Sequence, residues 1–204
     1  MGSDINALQA NLAAANARLT EAYRALAPKH VGGEVEECEA ARHAVWAAER
    51  ALAAAEGRPY AIRADFPLQW DVGAPLPLLL QLDSKAVLLF LLAEEGQIGV
   101  VDFDWCLATK FGSPGDETFA GHPLNGSGFE PYTAMKVIGS RWIEELRRID
   151  SVHSRHDPSS YDSYDHLILP FHDTTFECVT PGYTTSIEHG SLFAVAQSLF
   201  DRLE

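Results

Sequence analysis

Cysteine is scarce in this chain of 204 residues, which contains only Cys38, Cys106 and Cys178. These thiols are odd in number and widely spaced, and none belongs to a CxxC pair of the metal-binding type. The pattern favours reduced thiols in the cytosol over a disulfide framework. Burial in the core is the expected role of each.

Basic residues are also few, because 15 Lys and Arg residues stand against 29 Asp and Glu residues and the formal net charge is −14. Nucleic-acid binding needs clustered Lys and Arg side chains on the phosphates, so the composition argues against it. The basic residues gather only at Arg141, Arg147 and Arg148. Such a cluster is typical of a solvated helix face, and the alternative is a contact with an anionic ligand.

Long hydrophobic runs are missing as well. The most apolar segment, residues 76–93, is interrupted by polar residues such as Asp83 and Lys85, which makes it too polar for a membrane span. The first residues include Asp4 and lack a basic region before a hydrophobic segment, so no secretory signal is expected. We therefore expect a cytoplasmic protein without a membrane partner.

Apolar residues recur at intervals of three and four over residues 1–57. The positions are Ile5, Leu8, Leu12, Ala15, Leu19, Ala22 and Leu26, followed by Cys38, Ala41, Val45, Ala48, Leu52 and Ala55. Such a heptad seam predicts two long helices of a coiled coil. Pro28 is expected to end the first helix, and Gly32 with Gly33 to form the turn, so residues 1–57 are predicted to be an antiparallel helical hairpin.

The predicted hairpin has little apolar bulk, because alanine occupies many seam positions. A pair of helices that buries so little area is marginal when isolated. We therefore expect the hairpin to make the chain a homo-oligomer or to contact a protein partner.

After a boundary at Arg58 and Pro59, residues 58–204 are predicted to form a second domain. Strands are expected at residues 65–72, 76–82, 86–93, 98–103, 166–172 and 176–180, and helices at residues 141–149 and from residue 191. Ser140 suits an N-cap, and Pro170 suits an edge strand. The predicted fold is α+β: an N-terminal antiparallel helical hairpin, which is a coiled coil, followed by an antiparallel-sheet domain with flanking helices.

Residues 111–131 have neither helical nor strand periodicity, and they are rich in Gly and Pro. A connection this long is uncommon without a function, and its spaced aromatic residues predict an ordered loop. We expect this loop and the hairpin of residues 166–180 to form a polar pocket. Its candidate ligand-binding residues are Glu117, His122, Asn125, Arg141, His172, Asp173 and Glu177.

Metal binding is a further hypothesis. His153, His156, His172 and Asp173 offer nitrogen and oxygen donors that suit a divalent metal such as zinc. The alternative is that His172 and Asp173 cap the turn of a hairpin.

Residues of about 65 to 180 resemble a widespread bacterial domain family of hypothetical proteins. The motifs that carry the resemblance are Phe111-Gly-Ser-Pro-Gly-Asp-Glu, Gly121-His-Pro-Leu, Ser140-Arg-Trp-Ile and Phe171-His-Asp-Thr-Thr-Phe-Glu-Cys. They are similar to the family strings FGxPNDE, GHPL, NSxWI and FHDSTFE, and residues 150–156 are similar to a fifth string, NxVHPxH. The chain departs from the family pattern at Gly115, Gly139, Asp150 and Ser154. The resemblance implies no particular activity.

No GxSxG motif, phosphate-binding glycine loop or dinucleotide fingerprint is present in the sequence. The leading hypothesis is a self-associating interaction or ligand-binding protein with a polar His/Asp/Glu pocket. The alternative is a small enzyme, such as a metal-assisted hydrolase, that uses His122 or His172 with neighbouring carboxylates.

Overall fold

The computed structural model describes residues 2–26 and 32–203. The chain divides into two compact units, one comprising Met1–Ile62 with Pro123–Glu130 and the other Arg63–His122 with Pro131–Glu204. The division at residue 57 stays a prediction. Among the helices described, none is both long and apolar enough to cross a membrane.

The first unit contains two long helices that pack against each other, α1 (Gly2–Leu26) and α2 (Gly32–Ala55). The seam prediction is confirmed for α1, since every seam position is buried or half-buried whereas the intervening residues from Asp4 onwards are exposed. Along α2 the seam positions are also buried or half-buried, except Ala55 at the helix end, but the intervening residues are not all exposed, since Ala53 is buried.

The predicted turn is wrong in one respect. Gly32 and Gly33 are the first two residues of α2 and not a turn before it. The first backbone N–H groups of any helix have no partner within it, so glycine is tolerated there better than in a helix interior. Pro28, the expected terminator of α1, lies outside the described residues.

The segment Pro123–Glu130 belongs to the helical unit, which the sequence did not indicate. The guanidinium group of Arg50 in α2 donates to the carboxylate of Glu130 at 2.7 Å. Arg58 donates to the hydroxyl of Ser127 at 2.7 Å, and the backbone N–H of Ala61 donates to the Ser127 carbonyl at 2.9 Å. The predicted single loop of residues 111–131 is therefore divided between the two units.

The second unit consists of strands, short helices and a C-terminal helix. Its strands after the boundary strand β1 (Tyr60–Arg63) are β2 (Leu78–Gln81), β3 (Ala86–Leu91), β4 (Gln97–Phe103), β5 (Ala108–Gly112), β6 (Met135–Ile138), β7 (Asp165–Pro170), β8 (Thr175–Thr180) and β9 (Thr184–His189). Its α-helices are α3 (Arg141–Asp150) and α4 (Leu192–Leu203), and its 3₁₀ helices are Asp116–Gly121 and Pro158–Ser163.

The strands form two antiparallel sheets. In the first sheet β6, β7, β8 and β5 are neighbours in that order, and in the second the order is β2, β3, β4, β9. The fold-class prediction is thus confirmed: a helix pair precedes antiparallel sheets with flanking helices, and the chain is α+β.

The main core lies between the inner faces of the two sheets. It includes Leu88 and Phe90 from β3, Phe103 from β4, and Leu169 and Phe176 from β7 and β8. The other face of the second sheet packs against α4. The outer face of the first sheet is the place where polar side chains collect.

Several strand predictions need correction. Residues 65–72 make only an isolated bridge at Trp70, whereas β5 and β9 were not predicted. β7 is not an edge strand, because it lies between β6 and β8. Pro170 fits there because it is the last residue of β7, beyond the residues that pair with β6.

Candidate functional site

The candidate site lies on the outer face of the first sheet. In the β5–β8 ladder Lys110 is opposite Glu177, and in the β7–β8 ladder His166 is opposite Val179. Residues opposite each other, and residues two apart on a strand, point to the same face of a sheet. The alternate residues, such as Cys178, point into the core. Lys110, His166 and Glu177 therefore share the outward face.

A chain of hydrogen bonds joins three side chains from three elements. The hydroxyl of Ser140 lies 2.9 Å from His166 Nδ1, and His166 Nε2 lies 2.7 Å from Glu177 Oε2. Ser140 and His166 are both buried, with 6% of each residue exposed. We call this chain the Ser140 relay.

The ionisation state of Glu177 determines which atoms donate and which accept hydrogen bonds in the Ser140 relay. Burial tends to raise the pKa of Glu177, but the hydrogen bond from His166 and the charges nearby lower it below its ordinary value. Because an ionised carboxylate only accepts hydrogen bonds, His166 Nε2 donates to it. In the neutral imidazole Nδ1 then accepts from the hydroxyl of Ser140.

His122 lies beside the other oxygen of Glu177. Its Nε2 atom is 4.0 Å from Glu177 Oε1, and only 3% of the His122 side chain is exposed. Burial lowers the pKa of His122, and the charge of Glu177 opposes that shift without cancelling it. The lowered pKa favours the neutral imidazole of His122. The turn that follows the first 3₁₀ helix positions it, since the His122 N–H donates to the Phe119 carbonyl at 2.9 Å.

Lys110 and Trp142 border the relay. The ammonium group of Lys110 is 3.7 Å from Glu177 Oε2 and 3.8 Å from the ring centroid of Trp142. The Trp142 ring also meets the His166 ring edge-on, with centroids 5.1 Å apart. Because 53% of the Lys110 side chain is exposed, this residue connects the half-buried carboxylate of Glu177 to solvent.

A second hydrogen-bonded group forms around Asp116 and the turn between β7 and β8. Tyr132 donates its hydroxyl to Asp116 Oδ2 at 2.6 Å, and His172 Nε2 lies 3.6 Å from the same oxygen. His172 Nδ1 also bonds Asp173 Oδ1 at 3.0 Å. The hydrogen bond with Asp173 raises the pKa of His172, and the charge of Asp116 adds to it.

This second group also ties the start of the predicted loop to the strand turn. The Asp116 N–H donates to the His172 carbonyl at 2.7 Å, and the Thr175 hydroxyl donates to the Pro114 carbonyl at 2.8 Å. Burial, followed by the hydrogen bond to Asp116, raises the pKa of Tyr132 to about 12. The group is therefore an ion-paired anchor of the loop.

The predicted ligand-binding residues separate into distinct places. His122 and Glu177 lie together, whereas His172 and Asp173 belong to the group around Asp116. The other three predicted residues are exposed: Glu117 in the 3₁₀ helix, Arg141 in the first turn of α3, and Asn125, which belongs to the helical unit.

The four residues predicted to bind metal also lie in separate contacts. His156 Nδ1 bonds Asp150 at 2.9 Å, and His153 Nδ1 accepts from the Arg155 N–H at 3.2 Å. His172 and Asp173 pair with each other. Among the described residues, no group of three or more His, Cys, Asp or Glu side chains has an arrangement that could hold a metal ion.

Sequence reasoning missed Ser140 and His166 as site residues, and it also missed Lys110 and Trp142. Ser140 was correctly predicted as the N-cap of α3, where its hydroxyl accepts from the Ile143 N–H at 3.3 Å. The available signal for His166 was a histidine directly before the apolar residues of β7.

Comparisons of the chain with protein-family models, with curated proteins and with solved structures found no match. The candidate function therefore rests on the geometry of the site itself.

Proposed function

We propose that the chain is a ligand-binding protein whose site is the polar cluster around Glu177. The observation that carries this proposal is the separation of 4.0 Å between Glu177 Oε1 and Nε2 of the buried His122. That distance is too long for a direct hydrogen bond, and one polar atom placed between the two groups can bond both.

The chemistry of the cluster favours a small ligand with two features. A hydroxyl or amino group would donate to Glu177 Oε1 and bond His122 Nε2, because the carboxylate only accepts. An acidic group on the same ligand would meet the half-exposed ammonium of Lys110. Small hydroxy acids and amino acids combine both features.

Thermal stability in the presence of such molecules tests the proposal. A set of probes comprising lactate, glycerate and serine at millimolar concentration is expected to raise the melting temperature of the full chain, because a ligand that binds only the folded state stabilises it. Glu177→Gln and His122→Ala should remove the shift.

Glu117→Gln is the matched control, because Glu117 is an exposed carboxylate that the structure places outside the cluster. This variant should respond to the probes as the unmodified chain does. A shift that persists in Glu177→Gln, or no shift with any of the three probes, contradicts the proposal.

Self-association through the helical hairpin is a second proposal. The seam of α1 supports it, since its residues from Ile5 to Leu19 are only half-buried against α2. A second copy of the hairpin would cover the remaining apolar surface. Sedimentation of the full chain over a range of concentrations should show a mass at least twice that of the monomer, and a constant monomer mass refutes the proposal.

We also propose a cytoplasmic location and membership of the bacterial family that the motifs resemble. Cys38, Cys106 and Cys178 are all free and buried, which supports a reducing compartment. The quoted family motifs contribute Ser140, His122 and Glu177 to one cluster, which supports a shared site. Fractionation of the source cells and an alignment of close relatives test these two proposals respectively.

A further inference from the structure

We propose that Ser140 is the nucleophile of an acyl-transfer site in which His166 is the general base and Glu177 orients the imidazole. The inference rests on the ligand-binding cluster proposed above and gives it a reaction. A nucleophile, a base and a carboxylate within hydrogen-bond reach of one another, at 2.9 Å and 2.7 Å, are the geometric signature of an activated serine.

The chain around Ser140 positions its hydroxyl. Strand β6 ends at Ile138, Gly139 has a φ of 67° that favours glycine, and Ser140 precedes α3. A strand, a tight turn and a helix present a nucleophilic serine in the same order in hydrolases with a nucleophile elbow. The fold here differs, because the positive φ belongs to the residue before the serine.

The first turn of α3 supplies a place for negative charge. N–H groups at the start of a helix have no acceptor within the helix, and the helix dipole favours an anion there. An oxyanion that develops beside Ser140 Oγ would lie next to these groups. The hydrogen bond from the Ile143 N–H to Ser140 Oγ, at 3.3 Å, shows that one of them already points at the hydroxyl.

The two nitrogens of His166 have exchanged the roles they have in the familiar serine triad, where Nε2 faces the serine and Nδ1 the carboxylate. Here Nδ1 faces Ser140 and Nε2 faces Glu177. The proton transfer is chemically equivalent, since the imidazole accepts a proton at one nitrogen while the other donates to a carboxylate that stabilises the imidazolium.

The reaction on a small carboxylic ester balances as follows. Ser140 Oγ bonds to the ester carbonyl carbon, its proton moves to His166 Nδ1, and the carbonyl oxygen becomes an oxyanion. The bond from carbon to the alcohol oxygen then breaks, and the proton on Nδ1 passes to the departing alcohol. Water, deprotonated by His166, attacks the acyl-serine and releases the acid, so that the serine regains its proton.

Labelling with a small fluorophosphonate tests the inference, because such a probe phosphonylates a serine that a neighbouring base activates. Intact-mass measurement of the full chain should show one adduct, and peptide mapping should place it on Ser140. Glu177→Gln should slow labelling by about 10²-fold, because His166 without its orienting carboxylate is a less effective general base, and general-base catalysis contributes about 10²–10⁴-fold. Ser151→Ala is the control, because Ser151 is an exposed serine at the other end of α3.

Two replacements of Ser140 separate loss of the nucleophile from loss of the helix cap. Ser140→Ala removes both, whereas Ser140→Asn keeps an oxygen that caps α3 and cannot be acylated. Neither variant should be labelled. If both unfold, the mapped position of the adduct in the unmodified chain still decides. No adduct, an adduct on another residue, or undiminished labelling of Glu177→Gln overturns the inference.

The binding proposal and this inference fail in different ways. Ser140→Ala retains Glu177 and His122, so it should keep the thermal shift with the hydroxy-acid probes while it loses labelling. A thermal shift without an adduct in the unmodified chain refutes only the reaction. An adduct on Ser140 without any thermal shift refutes only the proposed ligand class.

Discussion

Replacing Arg50 with methionine tests how strongly a buried carboxylate depends on its ion pair. Glu130 is 1% exposed, and its Oε1 atom lies 2.7 Å from Nη1 of Arg50, whose side chain is 24% exposed. Methionine preserves much of the apolar stem of Arg50 but removes the charge, so the carboxylate of Glu130 loses this partner. We expect Arg50→Met to destabilise the helical unit.

The size of the effect follows from the burial of the two partners. Removing one member of a buried ion pair costs up to about 3–5 kcal/mol, the full amount applying where the remaining charge has no other compensation. The partial exposure of Arg50 argues for the lower end, about 3 kcal/mol, which corresponds to a fall in melting temperature of roughly 6–12 °C for a chain of this size.

Urea and thermal unfolding of Arg50→Met measure this loss. Adding Glu130→Gln to Arg50→Met should recover part of the stability, because the buried charge is then gone, and the double-mutant cycle isolates the coupling. Arg18→Met is the control on an exposed position of α1. A loss below about 1 kcal/mol in Arg50→Met, the scale of surface ion pairs, would refute the reasoning.

Two further predictions concern backbone space and pH. Gly128 has a φ of 82°, and a Cβ atom there would lie 2.8 Å from the Ala61 carbonyl oxygen. Gly128→Ala should therefore lower the free energy of unfolding, measured by urea titration, by roughly 1–3 kcal/mol. An unchanged midpoint of the titration would contradict this prediction. The hydrogen bond with Asp173 and the charge of Asp116 raise the folded-state pKa of His172. The contribution of protonated His172 to folding stability is therefore fully present below the unfolded-state pKa of about 6.5, and it is lost as the pH rises through the folded-state pKa. An NMR titration midpoint for His172 at or below that of a model histidine would contradict the assignment.

The helical part of the fold was predictable because its information is local. A seam that repeats every three and four residues determines which side of a helix is covered, whatever covers it. The burial pattern from Ile5 to Leu26 therefore follows the sequence residue by residue. Strand β3 and its hairpin with β4 were predictable for a similar reason, since an apolar run, a turn and a second run adjoin in the chain.

The destination of residues 123–130 was not predictable, because it depends on partners far away in sequence. In the sequence Glu130 is an ordinary loop carboxylate, because its ion-pair partner Arg50 is 80 positions earlier in the chain. Likewise Pro170 suggested an edge strand because the missing N–H is a local property, whereas the neighbours of β7 are a property of the sheet order.

The candidate site shows the same division between local and distant information. His122 and Glu177 were both among the candidate ligand-binding residues, and the structure places their side chains 4.0 Å apart. Ser140 was interpreted only as a helix cap, because its second partner, His166, is 26 positions away in β7. A cap serine and a strand histidine are each ordinary alone. Their chemistry arises because Ser140 bonds His166 and His166 bonds Glu177, and the second of these contacts depends on the register of β7 against β8.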